Sequence, residues 1–303
     1  MKRLIITADD FGAAPEVNAA VEAAHRDGVL TAASLMVAAP AADDAIARAR
    51  RSPSLRVGLH LVLTEGRPLL PPSTVSQLVD GSGAFRTNLA ALGTRIAFSR
   101  EARRQVAAEI SAQFAAFRDS GLALDHCNAH QHFHLHPAVA ELLLSIGHSF
   151  GLRAVRVPLE PGPLLRRLEP HTHGWSATLA LPFALRLRRR VTAAGLAAPD
   201  SVFGLRWSGH MTRARLLALV RNLPHGLSEI YLHPATASFR GGGAGYRHRE
   251  EFEALTDPAV VAACRDASLQ LGGFSDFAPH DVDSPLPGKP GAGALAQRVA
   301  LRP

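Results

Sequence analysis

Six short apolar runs of strand character, at 3–8, 30–37, 55–61, 122–129, 154–157 and 229–233, alternate with amphipathic stretches of helical character. That alternation constrains the fold more than any other feature, because repeated βα units build a parallel sheet or close into a barrel. The helical stretches are 16–27, 41–51, 100–119, 137–150, 212–222 and 258–268. The first follows Pro15 and stops at Gly28, a usual beginning and end for a helix. The third carries Val106, Ile110, Phe114 and Phe117 at helical spacing. With 303 residues, 47% of them hydrophobic, the chain can bury a large core. We expect an α/β architecture with a single domain over 1–280. The Pro/Gly-rich stretch 281–303 has the composition of a disordered tail.

Two regions interrupt the rhythm. Residues 62–99 are rich in Pro, Gly and Ser, are long for a simple connection, and predict a substrate-facing loop. Residues 159–200 hold Pro-rich turns and then an apolar run, 179–190, that closes with Arg186, Arg188, Arg189 and Arg190. The net charge of +7 is almost wholly arginine, since Lys2 and Lys289 are the only lysines. There are no RNP-like aromatic runs, no zinc-finger spacing and no helix-turn-helix signature, so nucleic acid is not an expected partner. Cys127 and Cys264 are too few for a disulfide framework or a Cys-rich zinc site. Met1-Lys2-Arg3 leads directly into an apolar run and two acids, unlike a signal peptide, which predicts a cytoplasmic location. No uninterrupted apolar stretch of about 18 residues predicts a membrane span. The oligomeric state leaves no mark on the sequence.

The polar residues fall in a telling place. Asp9 and Asp10 close the first run, His60 sits near the end of the third, and His130 follows the fourth. Arg156 lies within 154–157, and His233 closes the last. In parallel α/β folds the carboxyl ends of strands carry the chemistry. Adjacent strand residues point to opposite faces, so Asp9 and Asp10 share one site only if the chain turns there, and Gly12 is placed to permit a turn. The alternative is an Asx turn with one Asp capping the next helix. One Asp with two His suits a divalent metal with open positions. The other Asp is then free to act as general base toward water, and His233 to protonate a leaving group. The residues alone leave open which Asp does which job. In His130-Gln131-His132-Phe133-His134-Leu135-His136, an extended chain would put four histidines on one face, too many for one metal. His130 is therefore read as the ligand, with the others lining the cleft or capping the helix that begins at Pro137.

Ala8-Asp9-Asp10-Phe11-Gly12, Val17-Asn18, Gly28-Val29-Leu30-Thr31 and Ser34-Leu35-Met36-Val37 resemble the opening of the YdjC-like carbohydrate deacetylases. Gly58-Leu59-His60-Leu61, with Leu63-Thr64 and Gly66-Arg67-Pro68-Leu69, resembles the family's second motif. His130-Gln131-His132 with His134 resembles the third, and His233-Pro234 the last, over about residues 3–235 in the same order. The resemblance implies a distorted (β/α) barrel, TIM-barrel-like, that removes acetyl groups from N-acetylated amino sugars with a divalent metal, zinc or magnesium. It implies Asp10, His60 and His130 as metal ligands and Asp9 as base. His233 as general acid follows by similarity to related polysaccharide deacetylases. Arg156 then either orients Asp9 or binds substrate, and Asn128, His132 and His134 bind substrate or support the ligands.

The chain departs from the chitooligosaccharide-type members at two places. It reads Asn128-Ala129-His130 where they read Asp-Ser-His, and His233-Pro234-Ala235 where they read His-Pro-Gly. Asn in place of Asp removes a charge from behind a ligand. These departures resemble the hopanoid-biosynthesis-associated branch, which implies a lipid-linked substrate, an N-acetylglucosaminyl bacteriohopane polyol. Segments 62–99 and 179–190 then fit a protein working peripherally at the inner-membrane surface. The competing reading of 179–190 is a core helix with a solvated basic end. Two rival functions remain. A glycosidase would need carboxyls about 5 Å or more apart across a sugar, which adjacent residues serve poorly. A non-catalytic carbohydrate- or lipid-binding barrel would not need the full set of motif residues.

Overall fold

β1 (Lys2–Phe11) is buried on both faces, with Leu4, Ile5, Ile6, Ala8 and Phe11 wholly shielded, as befits the central strand of a parallel sheet covered by helices. The computed structural model describes residues 1–170, 175–266 and 268–278, without the side chains of 175–177. The end of the expected domain at 280 and the expected tail 281–303 lie outside the described residues. The other strands are β2 (Ala32–Leu35), β3 (Arg56–Leu61), β4 (Cys127–Ala129), β5 (Ser201–Phe203), β6 (Gly226–Leu232) and β7 (Leu269–Leu271). All pair in parallel, in the order β4-β3-β2-β1-β6-β5, with β7 beside the first residues of β1.

The helices before β4 are α1 (Pro15–Asp27), α2 (Ala42–Arg51), α3 (Leu89–Phe98) and α4 (Arg100–Asp119). After it come α5 (Pro137–Ser149), α6 (Gly162–Leu168), α7 (Trp175–Ala193) and α8 (Arg213–Arg221). α9 (His248–Thr256), α10 (Pro258–Cys264) and α11 (Phe274–Phe277) complete the series. α4 begins and ends where the periodicity places it, and its buried stripe includes Val106, Ile110, Phe114 and Phe117.

The two edges of the sheet meet. Val155 pairs with Cys127 of β4, and Ala154 pairs with Ala197. The Val202 N–H of β5 donates to the Leu159 carbonyl at 2.9 Å. Residues 153–159 therefore form a seam that closes the sheet into a distorted barrel, the architecture the resemblance implied. The run 154–157 is a pair of isolated bridges rather than a regular strand, and Pro158 helps end it by lacking a ladder donor.

Segment 62–99 is not a simple loop. It holds a 3-10 turn at Pro72–Val75, an antiparallel bridge between Val79 and Phe85, and α3. Val62, Leu63, Val75, Leu78, Val79, Phe85, Leu92 and Ile96 are buried and build core, while Leu69 and Phe98 stand exposed. Within 179–190, Ala184 and Leu187 are buried while Leu179, Leu181, Phe183 and Leu185 stand exposed. α7 is thus neither a core helix nor wholly polar on its outer face. β5, β7, α6 and α9 have no counterpart in the apolar runs, because the strands are three residues long and the helices span only two or three turns.

Candidate active site

The aspartate pair meets at one site because the backbone breaks at Asp10 itself. The register of β1 against β2 shifts between Ala8 and Phe11, and Asp10 has φ +61°. This bulge turns both carboxylates to the same rim. Gly12 follows with φ +98°, and a Cβ there would stand 3.1 Å from the Met36 carbonyl, so glycine is required twice over. Neither Asp caps α1, whose N-cap is Ala14 without a side-chain bond. Among the described residues, the non-glycine residues with positive φ are Asp10, Glu65, Gln131 and His132, and all four line one cavity. Each such conformation costs about 1–3 kcal/mol and persists only where the surroundings enforce it.

That cavity, about 430 Å³, opens at the carboxyl ends of the strands. At its base Asp10 Oδ1 lies 3.1 Å from His130 Nδ1 and 3.3 Å from His60 Nε2, and the two imidazole nitrogens are 3.4 Å apart. Ligands ~2.0–2.2 Å from one ion sit ~3.0–3.5 Å from each other, so the triangle has the dimensions of one face of a metal site. The remaining ring nitrogens are oriented by neighbours. His60 Nδ1 lies 2.7 Å from Asn128 Oδ1, and His130 Nε2 lies 3.3 Å from Glu65 Oε2. Metal-binding imidazoles are commonly fixed in this way. Burial acts to lower the affinity of His130 for a proton, but Asp10 and Glu65 outweigh it and hold the ring well above its ordinary pKa. Burial raises the Asp10 carboxyl, and His130 and His60 more than reverse that. The cluster attracts positive charge strongly, and one carboxylate with two imidazoles is a donor set that a divalent ion accepts.

Behind the triangle lies Arg156, fully buried. Its Nη2 donates to Asp9 Oδ1 at 2.9 Å and its Nη1 to Asp9 Oδ2. Nε and Nη2 donate to Glu229 Oε1 at 2.9 and 2.7 Å, where the Thr7 hydroxyl also donates. The guanidinium stands 4.5 Å over the Tyr231 ring. Arg156 is not among the residues that line the cavity; its guanidinium contacts Asp9 and Glu229 behind it. Burial raises the Asp9 carboxyl, but Arg156, His60 and His233 together hold it far below the usual carboxylate range.

Of the residues expected at strand ends, Asp9, Asp10, His60, His130 and His233 line the cavity and Arg156 does not; His132 lines it as well. Asn128 and His134 do not. Asn128 sits beneath, donating to Asp9 Oδ1 at 3.1 Å, and His134 turns inward to the Arg156 carbonyl at 2.9 Å. The run from His130 is not extended: residues 130–135 form a 3-10 turn whose positive φ values at Gln131 and His132 scatter the rings. His132 alone of the later three reaches the cavity, donating to or accepting from the Tyr231 hydroxyl at 3.0 Å. His136 occupies the N-cap position of α5 but makes no side-chain cap bond. The His233 ring meets Tyr231 and Tyr246 edge-on at 5.7 and 5.1 Å, its backbone held by Glu251 and His248. Burial lowers its pKa, while Asp10 and Asp9 pull the other way.

Sequence reasoning missed Glu65, Glu229, Tyr231 and Tyr246. Strand alternation carries a signal for two of them, because Glu229 and Tyr231 share one face of β6, and the same alternation continued one step past its end leads to His233. Glu65, a charged residue in a connection, carries none.

The model of the family described as YdjC-like protein matches residues 3–266. A carbohydrate deacetylase of Geobacillus stearothermophilus is 31% identical over 278 residues, covering 90% of this chain and 97% of that protein. A carbohydrate deacetylase of Homo sapiens is 32% identical over 320 residues, covering 95% and 93%. Among solved structures, an Enterococcus faecalis V583 protein assigned to cellobiose-phosphate cleavage superposes with a TM-score of 0.69 at 24% identity, covering 92% of this chain and 99% of that one, which supports the fold. By its matched length and its relatives, the chain belongs to the YdjC-like family.

Proposed function

We propose that this chain is a metal-dependent carbohydrate deacetylase that hydrolyses the acetamide of an N-acetylglucosaminyl substrate and releases acetate. The observation that carries this reading is the Asp10–His60–His130 triangle sharing one cavity with Asp9 and His233. A zinc or magnesium ion held by the three would supply Lewis-acid chemistry, drawing charge from an amide carbonyl and acidifying water. Asp9 accepts the proton of the attacking water, its orientation fixed by Arg156 and Asn128. His233 delivers a proton to the departing amine. Burial lowers its pKa, so the protonated ring gives up its proton more readily than an exposed imidazolium does. His132 and Tyr231, hydrogen-bonded to each other at 3.0 Å in the cavity lining, would contact the sugar.

The substrate we favour is lipid-linked, an N-acetylglucosaminyl bacteriohopanetetrol converted to its glucosaminyl form. Leu89, Leu135, Ala180 and Leu205 give the cavity an apolar flank suited to such an aglycone. Ala180 belongs to α7, whose Leu179, Leu181, Phe183 and Leu185 are exposed beside the exposed Arg186 and Arg189. Apolar and cationic residues together suit peripheral contact with an anionic membrane surface. No helix among the described residues is long and apolar enough to cross a membrane.

The test offers the purified protein N-acetylglucosaminyl hopanoid and N,N′-diacetylchitobiose side by side, with zinc or magnesium, and measures acetate. Release from the hopanoid in preference supports the lipid reading; preference for chitobiose reassigns the chain as a chitooligosaccharide deacetylase. No acetate under any metal would leave a non-catalytic binding barrel, and metal-independent cleavage of the glycosidic bond would leave a glycosidase.

A further inference from the structure

A buried hydrogen-bond chain crosses β2, β3 and β4 beneath the site and ends on His60. It starts at Asp125, which accepts from the Phe274 N–H at 3.1 Å, the Ser275 N–H at 2.8 Å and the Ser275 hydroxyl at 2.6 Å. Burial raises the Asp125 carboxyl, but His126 and Ser275 outweigh it and bring its pKa to about 2, so this anchor only accepts. His126 Nδ1–H therefore donates to Asp125 Oδ2 at 2.9 Å. Ser34 Oγ stands 3.0 Å from His126 Nε2, which accepts the Ser34 hydroxyl hydrogen when the ring carries its single proton on Nδ1. That leaves Ser34 Oγ to accept from Asn128 Nδ2 at 2.9 Å. The second Asn128 N–H goes to Asp9 Oδ1 at 3.1 Å.

Each bond fixes the direction of the next. With both amide hydrogens engaged, Asn128 Oδ1 must face His60, which lies 2.7 Å away at Nδ1. The reverse orientation would set an amide oxygen against the Asp9 carboxylate, two acceptors in contact. His60 Nδ1 thus carries the proton, and Nε2 presents a bare lone pair toward Asp10 and His130.

The surroundings hold the chain of bonds in place. A Cβ on Gly58 would lie 2.5 Å from the His126 ring, so glycine in β3 is what admits the imidazole. On its other side Phe274 stacks at 4.1 Å with the planes 20° apart. Ser34, His126 and Asn128 are all fully buried, where an unmade hydrogen bond is costly.

We propose that Ser34 and His126 are positioning residues: by fixing the Asn128 amide they hold His60 as the Nδ1–H tautomer, the form whose Nε2 can bind a metal ion. This rests on the assignment of Asp10, His60 and His130 as ligands, and the experiment separates the two claims. In the metal-free full chain, ¹⁵N NMR of the imidazoles reads the His60 tautomer directly. Wild type should show a protonated Nδ1 and an unprotonated Nε2. Ser34→Ala and His126→Phe, the latter keeping a ring against Phe274, should give a mixture of tautomers. Ser34→Thr, which keeps the hydroxyl, should restore the wild-type pattern. The Zn²⁺ dissociation constant, measured by competition with a chromophoric chelator, should rise about 10–100-fold in the Ala and Phe variants. An unchanged His60 tautomer in Ser34→Ala, or an Nε2–H tautomer in wild type, overturns the proposal, and Ser34→Ala decides alone if His126→Phe does not fold. A wild-type chain with the expected tautomer that binds no Zn²⁺ refutes the ligand assignment and leaves the tautomer control standing.

Discussion

Arg156 grips Asp9 through two parallel donors, Nη1 to Oδ2 and Nη2 to Oδ1, and turns Nε to Glu229. Lysine has one compact charge and cannot serve both carboxylates with this fork. Arg156→Lys should cut kcat/KM by about 100-fold or more through misplacement of Asp9. Arg156→Met should lower unfolding free energy by about 3–5 kcal/mol, the usual cost of stranding a buried partner. Denaturant titration and steady-state kinetics check both. Wild-type-like kinetics for the lysine variant would show that Asp9 needs no such clamp.

The two aspartates should separate by experiment. Asp9→Asn should reduce turnover by about 10²–10⁴-fold while keeping metal content, because it removes the base and leaves the triangle intact. Asp10→Asn should lose the metal. Elemental analysis after gel filtration reads both, and an Asp9→Asn protein that is metal-free but revives on metal addition would reverse the assignment.

Glu65 faces the outer nitrogen of His130 from a backbone at φ +54°. Glu65→Gln keeps the size and removes the charge, and should weaken Zn²⁺ binding about 10-fold without a change in Tm. Equal affinity in a competition titration would assign Glu65 to substrate contact alone.

Glu251 is buried and accepts the Met211 and His233 backbone N–H groups. Burial pushes its carboxyl up to about 7, against which those bonds act only partly. A folded-state pKa raised above the ordinary 4.5 means the folded chain holds the proton longer than the unfolded chain does. The stability contribution is complete below about pH 4.5 and is lost as pH rises to about 7, of order 3 kcal/mol in all. The Tm of Glu251→Gln minus that of wild type should therefore become more positive from pH 5 to pH 8. A difference independent of pH would place the Glu251 pKa near its ordinary value.

The exposed apolar residues of α7 bear on the membrane reading. Leu181→Ser with Phe183→Ser should abolish cosedimentation with phosphatidylglycerol-containing vesicles, and 0.5 M salt should weaken wild-type binding by screening Arg186 and Arg189. Wild-type chain that stays in the supernatant at low salt removes the peripheral role.

Asp9, Asp10, His60, His130 and His233 were legible because each stands at a strand end, where a polar residue after an apolar run is conspicuous. Arg156 was visible for the same reason, but its choice between substrate and Asp9 depends on which side of the barrel wall its head lies. Asn128 and Ser34 stood out only through the motifs, and His126 not at all, since a buried histidine looks like ordinary filler until its partners are known. Segment 62–99, which does send Glu65 and Leu89 to the cavity, read as a loop because Pro and Gly marked its turns while its buried apolar residues are scattered at no fixed period. Glu65 could not be found, as its value arises from a contact with a residue 65 positions away.

Asp9 and Arg156 are separated by 147 positions, and Arg156 and Glu229 by 73. The guanidinium that joins them springs from the seam that shuts the barrel, so it reaches across to β1 and β6 only once the circle is complete. The linkage of Asp9, Arg156 and Glu229 is in this sense a closure signal. A growing chain still lacking β6, or a fragment cut anywhere between Asp9 and Glu229, leaves the buried guanidinium without one of its two carboxylate partners.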